Sequence, residues 1–393
     1  MNNPETLKEL REIASFVLPE VLEIRRHLHK YPELSFQEFE TFSYLSTSLK
    51  KHDIRFRQAG ETGIIGELKG RKPEKRTILL RADIDALPIE ENTTLPFASK
   101  TKGVMHACGH DVHSATLFGT LLILKHLQNS WEGTVRFVFQ PGEEKLPGGA
   151  LKMIEEGVLE NPTPSLILAQ HIYPELPAGN VGFCPGPYMA SADEIYFDVM
   201  GKGGHAAQPE RTSNPVWVAA KLLDALHDLH LSFQNKHCLL SIGKVDAPGA
   251  TNIIPEWVHM EGTVRTFDET VRKQLHREIG SIAERLSNKY DILIKPEIRK
   301  GFPPLNNDPE ITNNARLIAI DLIGKENVAS INPRLTSEDF SWYGQQVPLC
   351  FYRLGTAFPG NESAPGLHTS TLNVNEDAIR TGLLLFAALA MNL

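Results

Sequence analysis

Nine consecutive residues, Met105-His-Ala-Cys-Gly-His-Asp-Val-His113, hold three histidines, one cysteine and one aspartate. A thiolate beside imidazoles suits a borderline ion such as zinc better than magnesium or calcium. Cys108 and His110 are separated by a single glycine. A tight turn can aim two such side chains at one point, which the i, i+2 spacing of a helix does not allow. The apolar run Ala115–Leu127 follows with helical periodicity, which places the cluster on the loop feeding a helix N-terminus. Taken alone, the stretch has a plainer alternative, a chance gathering of polar residues on a surface loop.

Other chemistry-bearing residues fall where strands should end. Thr77–Ile84 is a near-continuous apolar run of the kind a buried strand shows, and it closes on Asp83-Ile84-Asp85. Thr134–Phe139 leads into Gln140-Pro-Gly-Glu-Glu144, and Ser165–Gln170 leads into His171. Open α/β sheets build their sites at the carboxyl ends of strands. Of two adjacent carboxylates, one can bind a metal while the other handles protons, provided their environments separate their pKa values. With His368, in Gly366-Leu-His-Thr369, the candidates are Cys108, His110, Glu144, His171 and His368, plus Asp83, Asp85 and Glu143. Five ligands are too many for one tetrahedral zinc but suit two ions that share a bridging group and keep a water.

The elements that must position these residues are legible as periodicity. Leu7–Leu28 reads as a helix stopped by Tyr31-Pro32, and Phe36–Lys50 as a second. His27 and His29, on the first helix, read as solvated. Ile64–Leu68 is a short strand. From about Asp193 the order becomes strand Glu194–Lys202, helix Asn214–Leu229, strand His237–Val245, strand Trp257–Phe267, helix Glu269–Lys289, strand Ile292–Lys300. This β-α-β-β-α-β order is the split ferredoxin-like unit. Gly301–Pro304 reads as a hinge, after which helix Asn313–Ile323 and a closing helix Glu376–Met391 resume the α/β texture. The expected division is therefore a discontinuous catalytic domain, 1–190 and 302–393, with 191–301 inserted.

The 393 residues favour two domains, and 41% hydrophobic content supports real cores. A formal net charge of −8 gives no basic surface for nucleic acid. Four scattered cysteines, Cys108, Cys184, Cys238 and Cys350, make no CxxC pair and no disulfide framework. No leader-like apolar segment and no 18-residue apolar run occurs, so the expectation is a soluble cytoplasmic protein without membrane contact, in which the sequons at Asn92 and Asn361 are coincidental. Neither a GxSxG elbow, a P-loop nor the HxE with PCxxC deaminase signature is found.

Four motifs together, Arg81-Ala-Asp-Ile-Asp-Ala-Leu-Pro88, Met105-His-Ala-Cys-Gly-His-Asp111, Gln140-Pro-Gly-Glu-Glu144 and Gly204-His-Ala-Ala-Gln-Pro209, resemble the dinuclear metallohydrolases related to aminoacylases and zinc carboxypeptidases. Within them the chain is most similar to the amidohydrolase branch of hippurate hydrolases and indole-acetyl-amino-acid hydrolases. The likeness runs from Arg25-Arg-His-Leu-His-Lys-Tyr-Pro-Glu-Leu34 through Ser337-Glu-Asp-Phe340 to Leu367-His368. It implies an α/β, mixed-sheet phosphorylase/hydrolase-like catalytic domain and a ferredoxin-like α+β domain serving as lid and dimerisation module. It further implies two divalent ions, zinc or manganese before cobalt or nickel, held by Cys108, His110, Glu144, His171 and His368, with Cys108 bridging. Glu143 matches the family's general base and Asp85 a carboxylate that steadies the site. His205 matches a histidine lent to a neighbouring subunit, hence a homodimer or higher homo-oligomer, and Asn252 and Arg265 match contacts to the substrate carboxylate. The implied reaction is hydrolysis of the amide of an N-acyl amino acid. Alternatives are a metallo-carboxypeptidase or dipeptidase of the same family, and an inactive metal-binding dimer.

Three departures stand out. Gly142 replaces the usual Ala, a small-for-small exchange that should leave the carboxylates in place. Ser370 lies where a proline often follows the final histidine, which bears on the backbone at His368. Lys145-Leu146-Pro147 replaces a glycine-rich sequence at the rim near Glu144, and with it the acyl preference is open.

Overall fold

The computed structural model describes residues 4–233, 237–360 and 365–393, so the sequon at Asn361 lies outside the described residues. The chain forms two compact units: Met1–Gly186 with Asn307–Asn332 and Trp342–Leu393, and Pro187–Asn306 with Pro333–Ser341.

The first unit is built on an eight-stranded mixed sheet. Its strands are β1 (Phe56–Ala59), β2 (Gly63–Lys69), β3 (Thr77–Asp83), β4 (Thr134–Gln140), β5 (Leu166–Pro177), β6 (Val181–Phe183), β15 (Val328–Ser330) and β16 (Leu349–Ala357), in the order β1-β2-β4-β3-β5-β16-β6-β15. β3 lies parallel between β4 and β5, and every one of its residues is buried, as a strand covered on both faces requires. Helices α1 (Pro4–Lys30), α3 (His110–His126) and α8 (Asp377–Asn392) supply Val21, Ile24, Phe118, Leu122, Leu383 and Phe386 to one continuous core with Leu80 and Phe137 of the sheet.

Two expectations are corrected here. His171 does not end its strand: β5 continues to Pro177 because it pairs with β16 from Ile167 to Tyr173, well past the Arg81–Ala169 pair where β3 leaves it. Nor is His29 solvated, since α1 packs against α3 and draws it inward, while His27 is half-buried. His29 is buried with Nδ1 2.9 Å from Asp111 Oδ2, and His27 stacks on Tyr44 at 3.6 Å.

The second unit has an antiparallel sheet, β10 (Cys238–Asp246), β12 (Trp257–Thr266), β8 (Asp193–Met200) and β13 (Leu293–Lys300) in that order, with helices α5 (Pro215–Ser232) and α6 (Glu269–Tyr290). This is the anticipated β-α-β-β-α-β path. Ile195, Phe197, Val258, Met260, Leu222 and Leu275 fill its core. A polar knot pins the start of β8: Asp193 accepts from Arg272 Nε at 2.8 Å, lies 2.7 Å from His276 Nε2, and accepts the Gly301 amide at 3.1 Å.

Burial opposes ionisation of Asp193, but hydrogen bonds from Arg272 and His276 overcome it and bring its pKa down to about 2 from 3.8. Because the folded value is depressed, the resulting stability is present above about pH 4 and is lost as pH falls towards 2. Its size is about 2 kcal/mol. Asp193→Asn is expected to abolish this acid-side loss and to lower stability at neutral pH by about 2 kcal/mol or more, since Arg272 loses its buried counter-charge and keeps only the more exposed Glu269 as an ion-pair partner, 3.1 Å away. Denaturant unfolding of both proteins between pH 5 and pH 2 measures this, and parallel curves would refute the assignment.

Candidate active site

Five segments of the first unit converge. β3 ends at Asp83 and passes through Ile84 to Asp85, the loop before α3 brings Cys108, and α3 itself begins at His110. His110 is therefore the first helical residue and not part of the loop. Gly109 between them is the cap, with φ +78°, a conformation that lets the two neighbouring side chains turn the same way. The turn after β4 carries Glu143 and Glu144, and β5 carries His171 at its middle. The His368 amide is tied to the Ala107 carbonyl at 2.8 Å, which fixes the backbone that Ser370 had left open.

The candidate ligand atoms lie close together. Cys108 Sγ is 3.4 Å from His171 Nε2 and 3.3 Å from His368 Nε2. Glu144 Oε1 is 3.2 Å from His368 Nε2 and 3.8 Å from His110 Nε2. Among the described residues, Cys108, His110 and His171 form one group able to hold an ion, and Cys108, Glu144 and His368 a second, with Cys108 in both. His110, Glu143 and Glu144 form a third. His110 Nδ1 is 3.2 Å from Asp85 Oδ1, and His171 Nδ1 donates to the Ile172 carbonyl at 2.8 Å. Each ring is thereby left with its Nε2 turned towards the cluster.

Electrostatics make the cluster a poor resting place without a cation. His110 Nε2 is buried with no hydrogen-bond partner among the described residues, and buried Glu144 Oε1 faces the His368 and His110 nitrogens. Burial, then the carboxylates of Glu144, Glu143 and Asp83, push the Cys108 thiol well above its ordinary range, so its thiolate needs compensating positive charge. For His110 burial opposes protonation, but Asp83, Asp85 and Glu144 outweigh it and lift the pKa to about 10. Buried donors of this kind, thiol, imidazole and carboxylate with orphaned atoms aimed at one another, fit a pair of divalent ions.

Two polar residues that sequence reasoning passed over hold the carboxylate turn. Ser35 donates to Asp85 Oδ2 at 2.7 Å, and the same oxygen accepts the Glu144 amide at 2.9 Å. Glu38 Oε1 accepts the amides of Phe36 and Gly142, both at 2.9 Å, while Oε2 accepts the Thr62 hydroxyl at 2.7 Å. Burial lifts Glu38 to about 7. Ser35 lies between two helices where no periodicity marks it, and Glu38, which periodicity puts inside the second helix, precedes it, since that helix starts at Phe39. Gly142 has φ +64°, and a Cβ there would sit 2.3 Å from the Phe36 ring, so this glycine makes room for Phe36 and is more than a small-for-small exchange. A cavity of about 280 Å³ opens beside Glu144 and Lys145, walled by Leu34, Ala86, Leu87 and Pro88. A larger one, about 730 Å³, lies at Arg55, Gly66 and Arg136 and is lined by none of the candidate residues.

In the second unit, His205 on β9 (Gly204–His205) pairs with Ile253 on β11 (Ile253–Ile254), and the Ala206 amide donates to the Asn252 carbonyl at 3.0 Å. The structure thus brings His205 and Asn252 side by side, both exposed. His205 Nδ1 accepts the Ala207 amide at 3.1 Å, which puts the proton of the neutral ring on Nε2. Arg265, on β12, donates to the Ser337 hydroxyl at 3.0 Å and has no ion pair among the described residues. No described helix is long and apolar enough to cross a membrane.

Comparison with known proteins points the same way. The family model described as peptidase family M20/M25/M40 matches residues 79–392. The chain is 38% identical over 381 residues to the N-acetyl-L-cysteine deacetylase of Bacillus subtilis (strain 168), covering 96% of this chain and 87% of that protein. It is 34% identical to thermostable carboxypeptidase 1 of Saccharolobus solfataricus, covering 100% of this chain and 99% of that one. Among solved structures it resembles the Bacillus subtilis YXEP protein, a dinuclear metal-binding peptidase of the M20 family, with a TM-score of 0.82, 34% identity, and 96% and 98% of the two chains covered.

Proposed function

This chain belongs to peptidase family M20/M25/M40 and is a hydrolase of C–N amide bonds, and from that premise we propose that it hydrolyses N-acyl amino acids with a pair of divalent ions. The reading rests above all on Glu143, a buried carboxylate adjoining two donor groups that share Cys108. Cys108, His110, Glu144, His171 and His368 would hold the ions, with Cys108 between them. Its thiolate favours zinc, while the histidines and carboxylate also accept manganese, cobalt or nickel. When bound, the ions would polarise the amide carbonyl and lower the pKa of a water.

The chain's own residues supply the rest. Glu143 takes a proton from the attacking water as its oxygen adds to the carbonyl carbon, then returns the proton to the amine nitrogen as the C–N bond breaks. Asp85 holds His110 through Nδ1 and the Glu144 amide through its other oxygen, so that both keep their aim. Arg265, always charged and without an ion pair among the described residues, suits the α-carboxylate of the amino acid, with Asn252 as a second contact. His205, whose Nε2 carries a proton and faces outward, would stabilise the oxyanion in a second copy of the chain, which makes the working unit a homodimer. The small cavity beside Glu144 would take a short acyl group.

A second reading, carboxypeptidase or dipeptidase, is favoured by the likeness to the thermostable carboxypeptidase, because peptide and acyl pockets differ in shape and not in ligands. Metal quantification coupled to a panel of hippurate-like, acetyl-amino-acid and dipeptide substrates decides. The expected result is two ions per chain and chelator-sensitive hydrolysis fastest on acyl amino acids. Faster dipeptide cleavage selects the second reading, and a metal-loaded protein inactive on all three refutes both.

A further inference from the structure

Asp83 and His113 lie beside the proposed ligands without belonging to them, and their hydrogen bonds run in one direction. Arg81 Nη1 donates to Asp83 Oδ2 at 2.6 Å, and the other carboxylate oxygen is 2.6 Å from His113 Nδ1. His113 Nε2 accepts the Ile172 amide at 2.9 Å. An amide can only donate, so His113 Nε2 carries a lone pair and the ring proton sits on Nδ1, directed at Asp83. Ile172 is thus held at its amide by His113. Its carbonyl accepts His171 Nδ1–H, and its side chain packs where a Cβ on Gly109 would lie, 2.3 Å from Ile172 Cδ1. All of Arg81, Asp83, His113 and His171 are buried.

We propose that Asp83 and His113 are positioning residues that fix the tautomer and orientation of His171 through the backbone of Ile172, and so set the affinity of the ion His171 holds. The relay has a physical rationale. A histidine ligand must present an unprotonated nitrogen, and what binds its other nitrogen decides which one that is. Here the partner is a backbone carbonyl, and a carbonyl orients a ring only as well as its own residue is held. Ile172 is followed by residues that run on along β16, so its position relative to α3 depends on a link across the sheet face. His113, one turn into α3, supplies that link, and Asp83, braced by Arg81, holds the His113 ring in the accepting tautomer. The Ser114 hydroxyl, bonded to the Asp83 carbonyl at 2.7 Å, ties the end of β3 to the same turn of helix.

This inference rests on the two-ion reading above, and its test separates the two. Ion dissociation constants of the full-length protein are measured by competition with a chromophoric chelator, using zinc alone. His113→Asn keeps a group near Nδ1 for Asp83 but loses the acceptor for Ile172, whereas His113→Gln keeps an acceptor near Nε2. We expect His113→Asn to weaken one of the two ions by about 10- to 100-fold, with His113→Gln restoring most of the affinity and both stripped proteins melting alike. Wild-type affinities in His113→Asn, or equal losses in both variants, overturn the relay while leaving the two-ion reading intact. A wild-type protein that binds no zinc overturns both. Should neither variant fold, ¹⁵N-histidine spectra of the wild type serve instead: Nδ1-protonated His113 and His171 support the relay, and Nε2-protonated His113 overturns it.

Discussion

Glu143→Gln is expected to lower turnover by about 10²- to 10⁴-fold while the protein keeps both ions. Gln has the shape of Glu and cannot accept a proton from water, so the substitution removes the transfer and little else. The turn that carries residue 143 is held from outside it: Glu38 binds the Gly142 amide, and Asp85 binds the Glu144 amide. Neither contact involves the Glu143 side chain, so Glu144, the proposed ligand, should stay where it is. Metal content and rate are measured on the same preparation. Full activity would show that another group is the base. Loss of ions together with activity would show that Glu143 is itself a ligand.

His205→Ala is expected to lower turnover by about 10²- to 10³-fold, the usual consequence of removing one donor to an oxyanion. If it acts across subunits, its defect should be curable by mixing with a second defective protein. If His205 acts in the site of a neighbouring copy, refolding His205→Ala with Glu143→Gln subunits gives hybrids in which one site has both an intact Glu143 and an intact His205. Activity should then return towards a quarter of the wild type as subunits mix at random, roughly half the dimers being hybrids with one working site of two. No recovery would place His205 in its own subunit's site or outside the chemistry. An unaltered rate in His205→Ala alone would remove it from the mechanism.

Sequence and structure agree most closely where burial is uniform. β3 and β4 were legible as runs because both faces of each strand are covered, and every residue of both is buried. The βαββαβ order was legible because alternating and helical periodicities follow one another cleanly. Legibility failed where a polar residue's fate depends on what packs over it. His29 looks like any helix histidine until α1 meets α3 and encloses it with Asp111 and Glu91. Ser35 sits in a connection with no repeat to expose it, and Glu38, read as part of the helix Phe36–Lys50, lies just before the helix that starts at Phe39. The role of His113 leaves no local signal, because its partners Asp83 and Ile172 are 30 and 59 positions away.

What the sequence determined by itself is the inventory: a thiol, histidines and paired carboxylates in an order that resembles one family, and a chain long and apolar enough to hold them on two folded units. Residue type and local spacing carry that information, since they fix which atoms can ligate or move a proton. Only the tertiary structure decided which nitrogen of each histidine faces the cluster, that His171 stands mid-strand, and that the Glu143 turn hangs from Glu38 and Asp85. Those outcomes depend on hydrogen bonds between segments far apart in the chain, and a partner's distance in space leaves no mark on the local pattern.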